Sequence, residues 1–327
     1  MRLTRAVRAT ARRARLAARS ALALAACFPL LVVAEPASRE IAITFDDLPF
    51  VTKVEAWHEK ITADLLAALV RHRVPAIGFV NERKLERDGA VDPRRVALLE
   101  RWLAAGFELG NHGYAHLDLH AVPLADAEND VLRGEAVTRR LLAASGRVPR
   151  WYRHPFLHTG RDVATRASFE AFLAEHGYRV APVTVDNADY VFASAYEGAL
   201  KAGDAVTAKR ISTEYDGYIE RYVAFYEQQS TALLGREIRQ VLLLHASALN
   251  AAAFDSIAEN LEARGYKFVA LDRALEDPAY AAQKDEYFGS GGITWLHRWA
   301  LTAGKRGAFF AGEPEVPKWV QEAVSTD

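Results

Sequence analysis

Apolar, β-favouring runs alternate with amphipathic stretches along most of the chain, and that alternation leaves few folds open. The strand-like runs are 41–45, 76–80, 107–109, 151–153, 178–185, 241–244 and 267–269. Between them lie segments of helical periodicity. In 56–71, Ile61, Leu65, Leu66 and Leu69 share one side; 93–104 opens at Pro93 behind Asp92 and is closed by Gly106; 126–144, 168–176 and 251–264 follow. Strand and helix repeated with short connections predict parallel strands with helices outside, either a barrel or a doubly wound sheet. The longest departure is 194–240, which reads as two or more helices without a strand.

The first residues fall outside this rhythm. Seven arginines and no acid precede the small, apolar run Ala21 to Ala34, which is broken only by Pro29. A charged segment followed by a short hydrophobic one ending in Val32, Val33 and Ala34 is the pattern of a cleaved export signal. The run is too short to span a bilayer comfortably. Arg12 and Arg13 partly match a twin-arginine signal, and Leu24 to Cys27 partly match a lipoprotein box. The apolar run continues past Cys27, which fits a cleaved leader better than a lipid anchor. Without those arginines, 34 basic residues face 42 acidic ones, a net charge of −8. That balance disfavours nucleic acid, which needs a basic face. The only cysteine leaves with the leader, so the remaining chain has no disulfide and depends on burial.

Chemistry-bearing residues gather at strand ends. The run IAITFDDLP delivers Asp46 and Asp47 to the C-terminal end of the first strand, where two adjacent like charges need a cation, a metal or a proton. Alternatively, Asp47 caps the next turn. NHGYAH places His112 and His116 four residues apart after another strand, a spacing that lets both rings reach one metal from a helix or a tight loop. Gly113 excludes the HExxH protease motif. His120 extends the spacing to a third ring and is left unassigned. Arg153 begins RHPF, DNADY runs from Asp186 to Tyr190, and His245 ends VLLLH. Each alone has an ordinary account, as a surface ion pair, a helix cap or a core-edge histidine. In a parallel barrel, however, all would converge on the face where active sites are built.

Together these motifs, in this order over Ile41 to about Leu271, resemble the polysaccharide deacetylases of carbohydrate esterase family 4. The resemblance implies a distorted parallel (β/α) barrel of about seven strands, with a helical insertion at 194–240 and a C-terminal extension. It implies Asp46 as catalytic base, with Asp47, His112 and His116 as ligands of a divalent metal, zinc foremost and cobalt, nickel or manganese also compatible. It further implies that Arg153 steadies the base, a backbone amide at Phe156 helps hold an oxyanion, and His245 is the acid tuned by Asp189. Gly113 stands where the family usually has serine or threonine, so the histidine loop is expected to lose a side-chain hydrogen bond. Tyr190 replaces a tryptophan, and Ala246 stands where an aspartate is common.

The expected organisation is a leader over 1–34, a deacetylase barrel over 35–275 and an extension over 276–327 packed on the barrel. In the extension, Trp295 and Trp299 at i and i+4 either pin the tail to the barrel or offer a sugar platform. The expected substrate is an acetylated carbohydrate, and the expected reaction is metal-dependent hydrolysis of acetyl groups, N-acetyl in preference to O-acetyl. The alternatives are a hydrolase of a small non-sugar amide and a non-catalytic carbohydrate-binding protein. The expected location is periplasmic or secreted.

Overall fold

A computed structural model describes residues 39–324; the leader and Cys27 lie outside them. The central sheet comprises β1 (Arg39–Leu48), β2 (Ile77–Val80), β3 (Glu108–Asn111), β4 (Trp151–Tyr152), β5 (Arg179–Val180), β6 (Val185–Asp186), β7 (Gln240–His245) and β8 (Tyr266–Phe268). Seven of these run in the order β5-β4-β3-β2-β1-β7-β6, and β8 pairs with the start of β1. Every pairing is parallel. The two ends of this path, β5 and β6, do not pair with each other, so the expected distorted barrel is an open one.

The sequence run 178–185 is two strands rather than one. Pro182 interrupts it, and β5 and β6 join opposite ends of the sheet. Likewise 126–144 is two helices, α3 (Leu124–Arg133) and α4 (Ala136–Ala143), separated at Gly134. The other helices that position the site are α1 (His58–Arg71), α2 (Pro93–Ala104), α5 (Val163–Glu175), α6 (Asp189–Lys201), α7 (Ala205–Leu234), α8 (Ala248–Ala263) and α9 (Trp295–Thr302). Asp92 caps α2 by accepting from the Arg94 N–H, with Pro93 in the first turn, as its sequence signature predicts.

The centre of β1 is buried on both faces, which a strand between two layers requires. Ile41, Ile43 and Phe45 join the main core with residues of α1, α7 and α8, while Ala42 joins a smaller cluster with Ile77, Trp151 and Val241. Along α7, Tyr215, Tyr218, Tyr222 and Tyr226 recur at helical spacing and bury one aromatic face. No helix among the described residues is long and apolar enough to cross a membrane.

Candidate active site

Strand order brings the C-terminal ends of β1 and β7 together. Asp46 lies in register with His245, although 199 residues of chain separate them. Alternation along a strand would send Asp46 and Asp47 to opposite faces. Asp47 instead has φ +69, in the left-handed region, and both carboxyl groups line one cavity of about 750 Å³.

After β3, the NHGYAH segment forms a tight loop rather than a helix. Gly113 has φ +74 and His116 φ +58, and the Asn111 side chain accepts the Gly113 N–H at 2.7 Å. The His112 and His116 rings meet edge to face, 4.7 Å between centroids. Each Nε2 lies 3.8 Å from Oδ1 of Asp47. Two ligand bonds of about 2.1 Å each to a tetrahedral ion set their donors about 3.4 Å apart, so these three donors need only a small inward movement to hold a divalent metal. Oδ1 of Asp47 is buried and has no hydrogen-bond partner, as a ligand oxygen awaiting a cation would be. Nδ1 of His112 bonds to the Arg153 carbonyl at 2.8 Å, which assigns its proton there and leaves Nε2 bare. Burial carries both imidazoles down to about 4, so they are neutral near pH 7. Burial pushes the Asp47 carboxyl up, but Lys84 and the neighbouring histidines outweigh it and hold the group below the usual carboxylate range. Lys84 Nζ stands 3.3 Å from Oδ2 of Asp47, leaving Oδ1 for an ion.

Asp46 is 2% exposed, and burial raises its pKa against the opposing charges of Arg153 and His245. The fully buried guanidinium of Arg153 approaches Oδ2 of Asp46 at 3.5 Å and donates to the Thr44 hydroxyl at 3.1 Å. Oδ1 of Asp46 is buried and unpartnered, free to accept from a water molecule. Across the cavity, Asp189 accepts from Nδ1 of His245 at 2.6 Å and from its backbone N–H at 2.8 Å. Burial depresses the His245 imidazolium, but Asp189, with Asp47 and Asp46, carries it up to about 10. Nδ1 is thereby engaged, leaving Nε2 as the second N–H of a cationic ring.

RHPF ends in a turn. Phe156 and Leu157 both have φ +56, and the Leu157 and His158 N–H groups bond back to the carbonyls of His154 and Pro155, each at 3.1 Å. The Phe156 N–H has no such partner among the described residues, and its ring packs edge to face on His116 at 4.4 Å. Backbone strain thus concentrates at Asp47, His116 and Phe156, as is common where geometry serves a site.

All eight sequence-predicted residues, Asp46, Asp47, His112, His116, Arg153, Phe156, Asp189 and His245, lie in or immediately behind this cavity. Tyr190 is exposed at its rim, 6.5 Å from the His245 ring. The hydrogen bond expected to be lost at Gly113 is replaced from α3. Oδ1 of Asp130 accepts the Ala115 N–H at 2.8 Å, and a Cβ at position 113 would lie 2.3 Å from Oδ2 of Asp130. Sequence reasoning did not single out Lys84 or Asp130, because helix or turn periodicity accounts for each. Asp186, the first residue of DNADY, also faces the cavity, and burial pushes its carboxyl up to about 6.

A second cluster, Asp118, His120 and His158, lies beside the first. The His120 and His158 rings stack 4.0 Å apart and 7° from parallel, so their in-plane lone pairs run side by side. Nδ1 of His158 is taken by Asp118 at 2.6 Å, and the arrangement suits packing better than a metal.

Residues 34–180 match the family model described as polysaccharide deacetylase, a stretch that carries Asp46 through Phe156 and stops before Asp189 and His245. A chitin deacetylase from Colletotrichum lindemuthianum is 29% identical over 163 residues, covering 50% of this chain and 56% of the relative. A chitooligosaccharide deacetylase from Sinorhizobium fredii is 32% identical over 136 residues, 42% of this chain and 55% of the relative. The chain therefore matches only about half the length of these relatives. The solved structure of the C. lindemuthianum chitin deacetylase superposes with a TM-score of 0.50 at 22% identity, over 73% of this chain and 88% of that one, a likeness of fold.

Proposed function

Because the chain belongs to the polysaccharide deacetylase family, we propose that it is an exported, divalent-metal-dependent hydrolase that removes acetyl groups from an acetylated carbohydrate, N-acetyl in preference to O-acetyl. One observation carries this reading: a three-donor metal set, a carboxylate held by a buried arginine and an Asp–His pair share a single cavity. Asp47, His112 and His116 would hold the ion, and mixed nitrogen and oxygen donors suit zinc first, with cobalt, nickel or manganese also compatible. When bound there, a divalent ion would supply Lewis acidity towards an acyl oxygen and a water molecule.

The chain's own groups supply the rest. Asp46, oriented by Arg153, accepts a proton from the attacking water through its free Oδ1. The raised pKa of this buried carboxylate makes it the stronger base of the adjacent pair. The unpaired Phe156 N–H donates to the oxygen that gains charge as the carbonyl becomes tetrahedral. His245, kept cationic by Asp189, gives its Nε2 proton to the departing amine. An amide needs that proton more than an ester does, because the amine is the poorer leaving group; the pair therefore favours N-acetyl substrates. Export is supported by the arginine-rich, apolar N-terminus of the sequence.

The test is acetate release from chitin oligomers, peptidoglycan and acetylated xylan, with metal content measured on the same preparation. We expect about one divalent ion per chain at the site. Asp46→Asn should lower kcat by about 100-fold or more with metal retained. Retention of most activity by a metal-loaded Asp46→Asn protein would remove Asp46 from the role of base.

A further inference from the structure

The turn that presents the Phe156 N–H is gripped from outside the family-matched stretch. Its two consecutive left-handed residues are not glycines, and such a conformation is strained and persists only when its surroundings impose it. Three contacts from the C-terminal segment do so. Gly292 packs its α-carbon against the Phe156 carbonyl so closely that a Cβ there would stand 1.7 Å from that oxygen. Trp295 lies over the small apolar cluster of Leu157, Val183 and Leu243, and its backbone N–H donates to the Val183 carbonyl at 2.7 Å. Arg298, only 1% exposed, donates to the Leu157 carbonyl at 3.5 Å and to the Thr159 hydroxyl.

Arg298 is itself fixed. Its Nε bonds to Asp285 at 2.6 Å, and Arg166 of α5 ties the Asp285 and Tyr287 carbonyls, each at 2.6 Å. A buried guanidinium with a planar fork is suited to hold several oxygens in fixed relation. Here those oxygens belong to both the turn and the tail.

We propose that Gly292, Trp295 and Arg298 are positioning residues, a brace that holds the Pro155–Thr159 turn in the conformation offering the Phe156 N–H to the cavity. The consequence for catalysis rests on the deacetylase reading; the bracing itself does not. Oxyanion donors act only at the correct distance, and a displacement near 1 Å can cost about 100-fold in rate. A full-length protein in which this brace alone is loosened would therefore bind metal and acetylated sugar yet turn over slowly.

The experiment compares full-length wild type with Gly292→Ala, Arg298→Met and Arg298→Lys, using a chitin oligomer as substrate. Measurements are kcat, KM, bound metal and amide hydrogen exchange over residues 154–160. Gly292 is exposed, so its alanine variant should fold even if Arg298→Met does not. For Gly292→Ala we expect kcat to fall by about 10- to 100-fold, KM to stay within about threefold, metal content to be unchanged and exchange over the turn to quicken by about tenfold or more. Arg298→Lys, which keeps a donor but loses the fork, should fall between Arg298→Met and wild type. Unchanged exchange and kcat in Gly292→Ala would overturn the proposal, as would a rise in KM alone, which would make the tail a substrate wall. Wild type that releases no acetate while its variants still show quickened exchange would sink the deacetylase reading and uphold the brace.

Discussion

At the scale of single residues, the site separates two neighbouring carboxylates by their surroundings. Lys84 and the imidazoles hold Asp47 ionised, whereas Asp46 faces a buried guanidinium at 3.5 Å and lies deeper. The same contrast distinguishes the histidines. His112 and His116 are driven to about 4 by burial, while His245, partly exposed to the cavity, is carried to about 10 by Asp189. A folded-state pKa raised above an unfolded value of about 6.5 means that this pair stabilises the fold fully below about pH 6.5. That contribution fades as pH rises through about 10. Asp189→Asn should therefore move the alkaline limb of the kcat profile towards neutrality and lower kcat by about 100-fold. A pH–rate profile of the variant checks this; an alkaline limb in its original place would free His245 from dependence on Asp189.

At the scale of elements, β1, β3, β4 and β7 were legible because each ends a short apolar run with a residue that an ordinary strand end does not need. Residues that act from behind the site left no such trace. Asp130 looks like one more polar position on an amphipathic helix, yet it accepts the Ala115 N–H and occupies the space beside Gly113. The long insertion was equally mute. Its Tyr215 hydroxyl reaches Asn250 at 3.0 Å, and Asn250 in turn bonds to Asp189 at 2.5 Å, a chain of contacts with no local periodicity. The Gly113 substitution is thus one half of an exchange whose other half is Asp130. Gly113→Ser, the residue type usual in the family, should cost about 1–3 kcal/mol through its left-handed backbone and its collision with Asp130, and should weaken metal binding by about tenfold. Adding Asp130→Ala should recover part of that loss. Metal titration and thermal melts of the two single variants and the double variant check the coupling, and strictly additive losses would refute it.

At the scale of the whole molecule, the tail belongs to the hydrophobic core rather than to its periphery. Leu296, Trp299 and Val320 are each no more than 2% exposed and share a cluster with Ile41, Ile43 and Phe45 of β1. Glu313 accepts the Tyr222 hydroxyl at 2.7 Å, fastening the tail to α7 as well. A fully buried side chain such as leucine or valine contributes about 1.5–3 kcal/mol, and a domain's whole net stability is about 5–15 kcal/mol. Removing three such side chains, together with the partners of Arg166, is therefore expected to cost most of the fold's margin. A chain ending before Asp285 should be insoluble or melt without a cooperative transition, as circular dichroism would record. A truncated protein that melts like the full chain, binds metal and fails only on polymers would instead assign Trp295 to a sugar platform, since packing alone predicts that the fold and all activities are lost together.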